Sequence, residues 1–272
     1  MKTISIINLK GGVGKTAVVT NAAFALANFW GAKVLVVDND KQGNASLFFG
    51  GDPAKATLTN LLLDGVTAKD CIQPTRYTPE WFVQRRREQR KAVRFHDARI
   101  DVIVSDMRLM HANLEKLRNK EDAQDDILKN ALGEVANDYD ICLIDNPPDI
   151  NISVLNALVA SDSVIIISTP DAYSAQGVYE MKSMIDKEVR LFNPALRLDG
   201  VLVNKFITST RGTALIHEME QKLPVFRQRI RFTRDKLNES TQLRKSIYEF
   251  SPQCGFAMDL GEFLEAYTEG RA

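Results

Sequence analysis

Seven consecutive residues, Lys10-Gly11-Gly12-Val13-Gly14-Lys15-Thr16, bring three glycines, two ammonium groups and a hydroxyl into one short stretch. Glycines let successive backbone N–H groups turn inward and cradle phosphate oxygens. A helix beginning at such a loop aims its positive end at the same anion. The stretch fits the G-x-x-x-x-G-K-[ST] phosphate-loop pattern with two departures: the first glycine is replaced, and Lys10 stands inside the loop. In this pattern Lys15 reaches the β- and γ-phosphates and the Thr16 hydroxyl holds Mg²⁺. The nucleotide-binding run is therefore Lys10, Gly11, Gly12, Val13, Gly14, Lys15, Thr16 and Ala17. A nucleoside triphosphate and Mg²⁺ are the ligands it predicts.

Carboxylates complete the set. Asp145 ends the apolar run Ile141–Ile144, where a Walker B carboxylate holding Mg²⁺ belongs. Pro147 and Pro148 stiffen the exit from that strand. Asp38 and Asp40 end a second apolar run, and Gly43 allows a tight turn after them. His96, His111 and His217 are isolated and have no Ser or Cys at nucleophile spacing. Phosphoryl transfer needs positioning and charge stabilisation, so no side-chain nucleophile is missing.

These groups need strands to end beside one another. Short Ile/Val-rich runs predict strands at Thr3–Asn8, Val34–Asp38, Ile100–Val104, Ile141–Asp145, Ser163–Ser168 and Leu198–Asn204. Helical patterns lie at Lys15–Trp30, Thr59–Leu63, Leu109–Leu117, Ala123–Asn137, Ile152–Ala160, Tyr173–Arg190, Thr213–Lys222 and Leu260–Thr268. The alternation predicts an α/β fold: a mostly parallel central sheet with helices on both faces, in P-loop NTPase architecture. Ligands of such sheets bind beyond the carboxyl ends of the strands. No linker divides the sequence, so residues 1–272 are read as one domain. A basic insertion at 74–99 carries eight basic residues against three acidic ones. Pro79 and Glu80 are placed to open a helix there, with Arg86, Arg90 and Arg94 on one face.

The loop KGGVGKT resembles the deviant Walker A motif of the ParA/MinD/Soj ATPases. VVDNDKQGNAS at 36–46, YDICLIDNPPDIN at 139–151 and LVNKF at 202–206 resemble further segments of that family, in the same order. The likeness runs from residue 2 to about residue 252. It implies that the nucleotide is ATP, and that Lys10 crosses a dimer interface to the partner's phosphates, giving an ATP-sandwich homodimer. It implies that Asp40 orients the attacking water and that Asp38 braces the Mg²⁺ network. It implies that Asn204 reads adenine, with the loop around Ile230–Thr233 adding contacts, Arg231 among them. Lys41 and Arg231 stand where family members usually have proline.

The same resemblance implies nonspecific DNA binding, a ParB-like centromere-binding adaptor that stimulates hydrolysis, and plasmid or chromosome partition. Candidate DNA contacts are Arg211, Arg234, Arg244 and Lys245, extended by Arg85, Arg86 and Arg90 of the insertion. The overall charge balances at 35 basic against 35 acidic residues, so any such contact rests on local patches. The alternative is a MinD-like regulator of division or cargo position. That branch ends in a basic amphipathic helix, whereas MDLGEFLEAYTEGRA carries four acids and one arginine, so no membrane partner is expected. Cys71, Cys142 and Cys254 have no metal-ligand spacing and suit a reducing compartment. No apolar run reaches the ~18 residues that span a bilayer, and the sequence enters a strand at once, without a signal peptide. A cytoplasmic, nucleoid-associated protein is the expectation.

Overall fold

The computed structural model describes residues 1–89, 96–112 and 125–270. Its centre is an eight-stranded sheet, in chain order β1 (Lys2–Ile7), β2 (Lys33–Asp38), β3 (Ile72–Pro74), β4 (Arg99–Ile103), β5 (Ile141–Asp145), β6 (Ser163–Ser168), β7 (Arg197–Phe206) and β8 (Val225–Arg231). The spatial order is β3-β4-β2-β5-β1-β6-β7-β8. Every neighbouring pair is parallel except β3 with β4. The inner strands are apolar at consecutive positions because helices cover both faces. Ile4, Ile6, Val34, Val36 and Leu143 pack on one side, while Leu35, Val37, Cys142 and Ile144 pack on the other.

Helix α1 (Lys15–Ala25) leaves the glycine loop and runs into a π-helical turn at Leu26–Trp30. It lies over the sheet beside α2 (Asn44–Phe49) and the C-terminal helix α3 (Gly255–Thr268). Helices Ile152–Val159 and Ala172–Met184 cover β6 from the other side. All six expected strands are present, within two residues at either end. The expectation at Leu109–Leu117 falls mostly outside the described residues, as does the start of Ala123–Asn137, where Ile127–Glu134 is helical.

Several of the described elements escape the apolar-run criterion, the short helices Ala68–Cys71 and Ile247–Phe250 among them. β3 has three residues and pairs antiparallel at one edge. β8 is the other edge, alternating buried Phe226 and Ile230 with Arg227, Arg229 and Arg231. Charge on an edge strand discourages pairing with other chains. The helix Arg234–Gln242 buries only Ser240 and shows no apolar stripe. Helix α2 is six residues between two left-handed glycines, Gly43 and Gly50.

The stretch after β3 is anchored rather than free. Thr78 caps the helix Pro79–Glu88, accepting a hydrogen bond from the Trp81 N–H. Tyr77, Trp81 and Phe82 pack edge-on or tilted around Phe24 of α1, with centroids 5.2, 5.9 and 6.0 Å away. Such aromatic pairs contribute beyond their buried area.

Candidate nucleotide and metal site

The glycine loop sits at the carboxyl end of β1, flanked by β5 and β6. Gly12 (φ 75°) and Gly14 (φ 97°) adopt left-handed backbone, where side chains are strained. At Gly14 a Cβ would stand 2.3 Å from Asn204 Nδ2, so only glycine fits. The Asn204 amide donates to the Val13 carbonyl at 2.8 Å, locking the loop to β7. Next to it Lys205, itself at φ 54°, donates from Nζ to the Gly12 carbonyl at 2.6 Å. A non-glycine residue in that conformation stores strain, and such residues cluster at functional sites.

The two lysines occupy opposite environments. Lys15 is 7% exposed and donates to the Asn8 carbonyl at 3.1 Å. Burial pulls its pKa down, opposed by the nearby charges of Asp145, Asp40 and Asp149. Lys10 lies at the half-exposed rim, 2.8 and 2.9 Å from the two oxygens of Asp171. Burial alone would raise the Asp171 pKa; hydrogen bonds from Lys10, Thr169 and the Ser174 N–H hold it below the usual carboxylate range.

Asp38 and Asp145 are register partners at the ends of β2 and β5. Both are buried, at 0% and 1% exposure. Asp38 accepts from the Ser46 N–H (2.6 Å), the Ser46 hydroxyl (2.7 Å) and the Asp40 N–H (3.2 Å). Asp145 accepts from the Thr16 hydroxyl at 2.6 Å, while its Oδ1 has no partner among the described residues. Desolvation pushes both carboxyls upward, and the charge of Asp38 pushes Asp145 further. The Thr16 hydroxyl and the Lys15 ammonium oppose that rise at Asp145 without cancelling it. The orphaned Oδ1 beside the Thr16 hydroxyl fits a hard cation, which prefers oxygen ligands. No group of three or more His, Cys, Asp or Glu able to hold a metal occurs among the described residues. A cation here would need hydroxyl, water or phosphate oxygens to complete its shell.

Asp40 stands at the turn that follows β2. Its Oδ1 accepts from the Gln42 N–H at 3.0 Å and its carbonyl from the Gly43 N–H at 2.8 Å. An open cavity of about 420 Å³ adjoins the loop, lined by Lys10, Gly12, Asp171, Lys205, Ile207 and Phe232 among others. Arg231, expected among the nucleotide contacts, is placed differently. Its guanidinium and backbone N–H are taken by Asp259 of α3 at 2.7 to 3.1 Å. Phe232, the first residue past β8, lines the cavity instead.

The basic candidates separate as well. Arg211, Arg234, Arg244 and Lys245 are exposed and form no ion pair among the described residues. Arg229 pairs with Glu220 at 3.3 Å. Arg85 lies over the Trp81 ring at 5.3 Å, and Arg86 donates to the Asn28 carbonyl, so the placement of Arg86 gives it a role in the chain's own packing. Arg90 is outside the described residues. Sequence reasoning missed Asp171, Ser46 and Lys205. Asp171 was legible only as a helix cap before Ala172, a signal that says nothing of Lys10.

A glycine loop joining the first strand to the first helix, at the centre of a parallel sheet, defines a P-loop NTPase fold. A family model described as an AAA domain matches residues 1–198. The chain is 30% identical to the sporulation initiation inhibitor protein Soj of Bacillus subtilis over 259 residues, covering 93% of this chain and 92% of Soj. It is 31% identical over 207 residues to the chromosome partitioning protein ParA of Myxococcus xanthus, covering 75% of this chain and 65% of that one. The structure superposes on that of Cyanothece McdA(D38A) in complex with ATP with a TM-score of 0.79 at 21% identity, covering 99% of this chain and 95% of that one. The chain belongs to the ParA/MinD family of P-loop ATPases.

Proposed function

We propose that this protein hydrolyses ATP, forms an ATP-sandwich homodimer, binds DNA without sequence preference, and partitions a plasmid or chromosome in the cytoplasm, on the nucleoid. A ParB-like adaptor would stimulate hydrolysis and release it. The observation that carries this reading is the unequal placement of two lysines on one loop. Lys15 is buried where a bound triphosphate would meet it. Lys10 stands at the rim, held by a carboxylate of its own chain, where a second copy could take it.

ATP would enter along the loop, its phosphates meeting the N–H groups of residues 11–16 and Lys15. Thr16, Asp38 and Asp145 would hold Mg²⁺, which screens charge on the phosphates when bound. Asp40 would position the attacking water. Lys10 would leave Asp171 for the partner's phosphates, making dimerisation depend on the γ-phosphate. Exposed Arg211, Arg234, Arg244 and Lys245 support phosphate contacts with DNA. The apolar side of α3 is occupied, with Phe256, Leu260, Phe263 and Leu264 buried against the sheet, which favours DNA over lipid as the surface bound. A DNA-binding titration with ATP, ADP and no nucleotide, at two salt concentrations, tests the proposal. ATP-dependent binding that weakens steeply with salt is expected; binding that ignores the nucleotide would overturn it.

A further inference from the structure

Asn39 lies between Asp38 and Asp40 and is 1% exposed. Its backbone N–H donates to the Asp145 carbonyl at 2.9 Å. Its side-chain amide donates twice: to Asn146 Oδ1 at 2.8 Å and to the Ser153 carbonyl at 3.1 Å. Asn146 opens the loop that follows Asp145 and Ser153 lies in the first turn of the helix Ile152–Val159 that ends it, so one NH₂ group bridges the loop. Asn146, also 1% exposed, passes the connection on. Its Nδ2 approaches the Ser5 hydroxyl, the Ile6 carbonyl and the Ile144 carbonyl at 3.2 to 3.4 Å, reaching the strand that feeds the glycine loop.

This is a costly place for two amides. A buried polar group is favourable only when bonded, and Asn39 Oδ1 has no partner among the described residues. Small apolar residues would fill the same space without that penalty. The bonds instead tie three segments that phosphoryl transfer must align: the turn bearing Asp40, the loop leaving Asp145, and the end of β1.

We propose that Asn39, through Asn146 and Ser153, is a positioning residue that couples the 146–151 loop and the helix start after it to Asp40. Separation of Asn146 from Ser153 breaks the amide's two bonds and frees the Asp40 turn; closure restores both. This rests on the ATPase reading above and adds to it a residue that touches neither nucleotide nor metal.

The test compares Asn39→Ala, Asn146→Ala and the double variant for kcat, KM, equilibrium ATP affinity and Tm. Asn39→Leu serves as a second, volume-keeping variant should Asn39→Ala fold poorly. A positioning role predicts kcat lowered roughly 10-fold with ATP affinity within about twofold, because misplaced catalytic groups cost rate rather than binding. The double variant should be no slower than the worse single, since both remove one connection. Variants that lose Tm while the folded protein keeps wild-type kcat would overturn the proposal, as would strictly additive losses. Wild-type protein that turns over no ATP would overturn the ATPase reading and this inference together; wild-type turnover matched by Asn39→Ala overturns this inference alone.

Discussion

The two ends of the central sheet treat their carboxylates in opposite ways. Away from the glycine loop, buried Asp101, partly buried Asp199 and exposed Asp162 each have a partner. Asp101 accepts from Arg99 at 3.0 Å and from the Tyr139 hydroxyl at 2.7 Å. Asp199 takes the Tyr267 hydroxyl and lies 3.8 Å from Lys2. Asp162 accepts the Thr3 N–H at 2.7 Å. At the carboxyl ends, Asp38 and Asp145 stand side by side with an oxygen unpaired and burial opposing their charge. A carboxylate pair left short of positive charge is a structural liability unless a ligand supplies it. One end holds the fold together; the other, in the proposed function, takes a polyphosphate and a cation.

Removing the buried ammonium at the open end gives the largest expected effect. Lys15→Ala should weaken ATP binding by roughly 100-fold or more, since it deletes charge-assisted contacts in a desolvated site. Lys2→Ala, at the closed end, should leave ATP affinity unchanged. Fluorescent-nucleotide titration reads both, and equal losses would erase the distinction between the ends. Lys10→Ala is the next step down. ATP should still bind, with affinity within about threefold because only a rim contact is lost, while ATP-dependent dimerisation disappears in light scattering. A variant that still dimerises with ATP removes Lys10 from the interface.

Stability should respond with opposite signs at the two ends. The folded-state pKa values of Asp38 and Asp145 lie above their unfolded values, so the folded protein binds the extra proton. The stability contributed is therefore full below the unfolded carboxylate range, about 4, and is lost as pH rises through the raised folded values. Without Mg²⁺, Tm should fall from pH 5 toward pH 8. Asp145→Asn should flatten that slope and raise stability at pH 8 by about 1–3 kcal/mol, because it removes a buried charge and keeps an acceptor for Thr16. Asp101→Ala should lower stability by about 1–3 kcal/mol, leaving the buried Tyr139 hydroxyl without its acceptor and Arg99 with only the Asp138 carbonyl. A denaturant series across pH separates the two, and a destabilised Asp145→Asn would show that its carboxylate is already satisfied.

Much of this was legible in the sequence, for a physical reason. β1, β2, β4, β5 and β6 are covered on both faces, so burial leaves a continuous apolar signature. The glycine loop is legible because backbone geometry demands glycine at positions 12 and 14. What escaped is pairing across distance. Asp171 reaches Lys10 from 161 residues away, and Asn39 reaches Asn146 from 107. Neither partner's type announces the other. Trp81 and Phe82 sit in a run dominated by arginine, so charge hid the aromatic anchor against Phe24. Arg231 was assigned by position within a family pattern, and only Asp259, at the far end of the chain, decides where its guanidinium goes.

The closed end also differs from the open one in packing, and this gives the smallest expected effect. An apolar cavity of about 230 Å³ lies between the sheet, α1 and α3, lined by Ile4, Val18, Ala22, Leu143, Phe263 and Leu264 among others. It lies on the side of Lys2, Ile141 and Tyr267, apart from the glycine loop. Ala22 offers one methyl to a space that a larger apolar group could use, and leucine is nearly as good a helix former as alanine. Ala22→Leu should raise stability by about 1 kcal/mol, a Tm gain of roughly 2–4 °C for a chain of this size, through recovered dispersion contacts. ATP turnover should not change, because the added carbons face the sheet below the helix. A fall in Tm would mean that the cavity walls cannot part for a branched side chain. Altered turnover would mean that packing beneath α1 is transmitted to the loop at its N-terminus, and the two ends would then be coupled rather than independent.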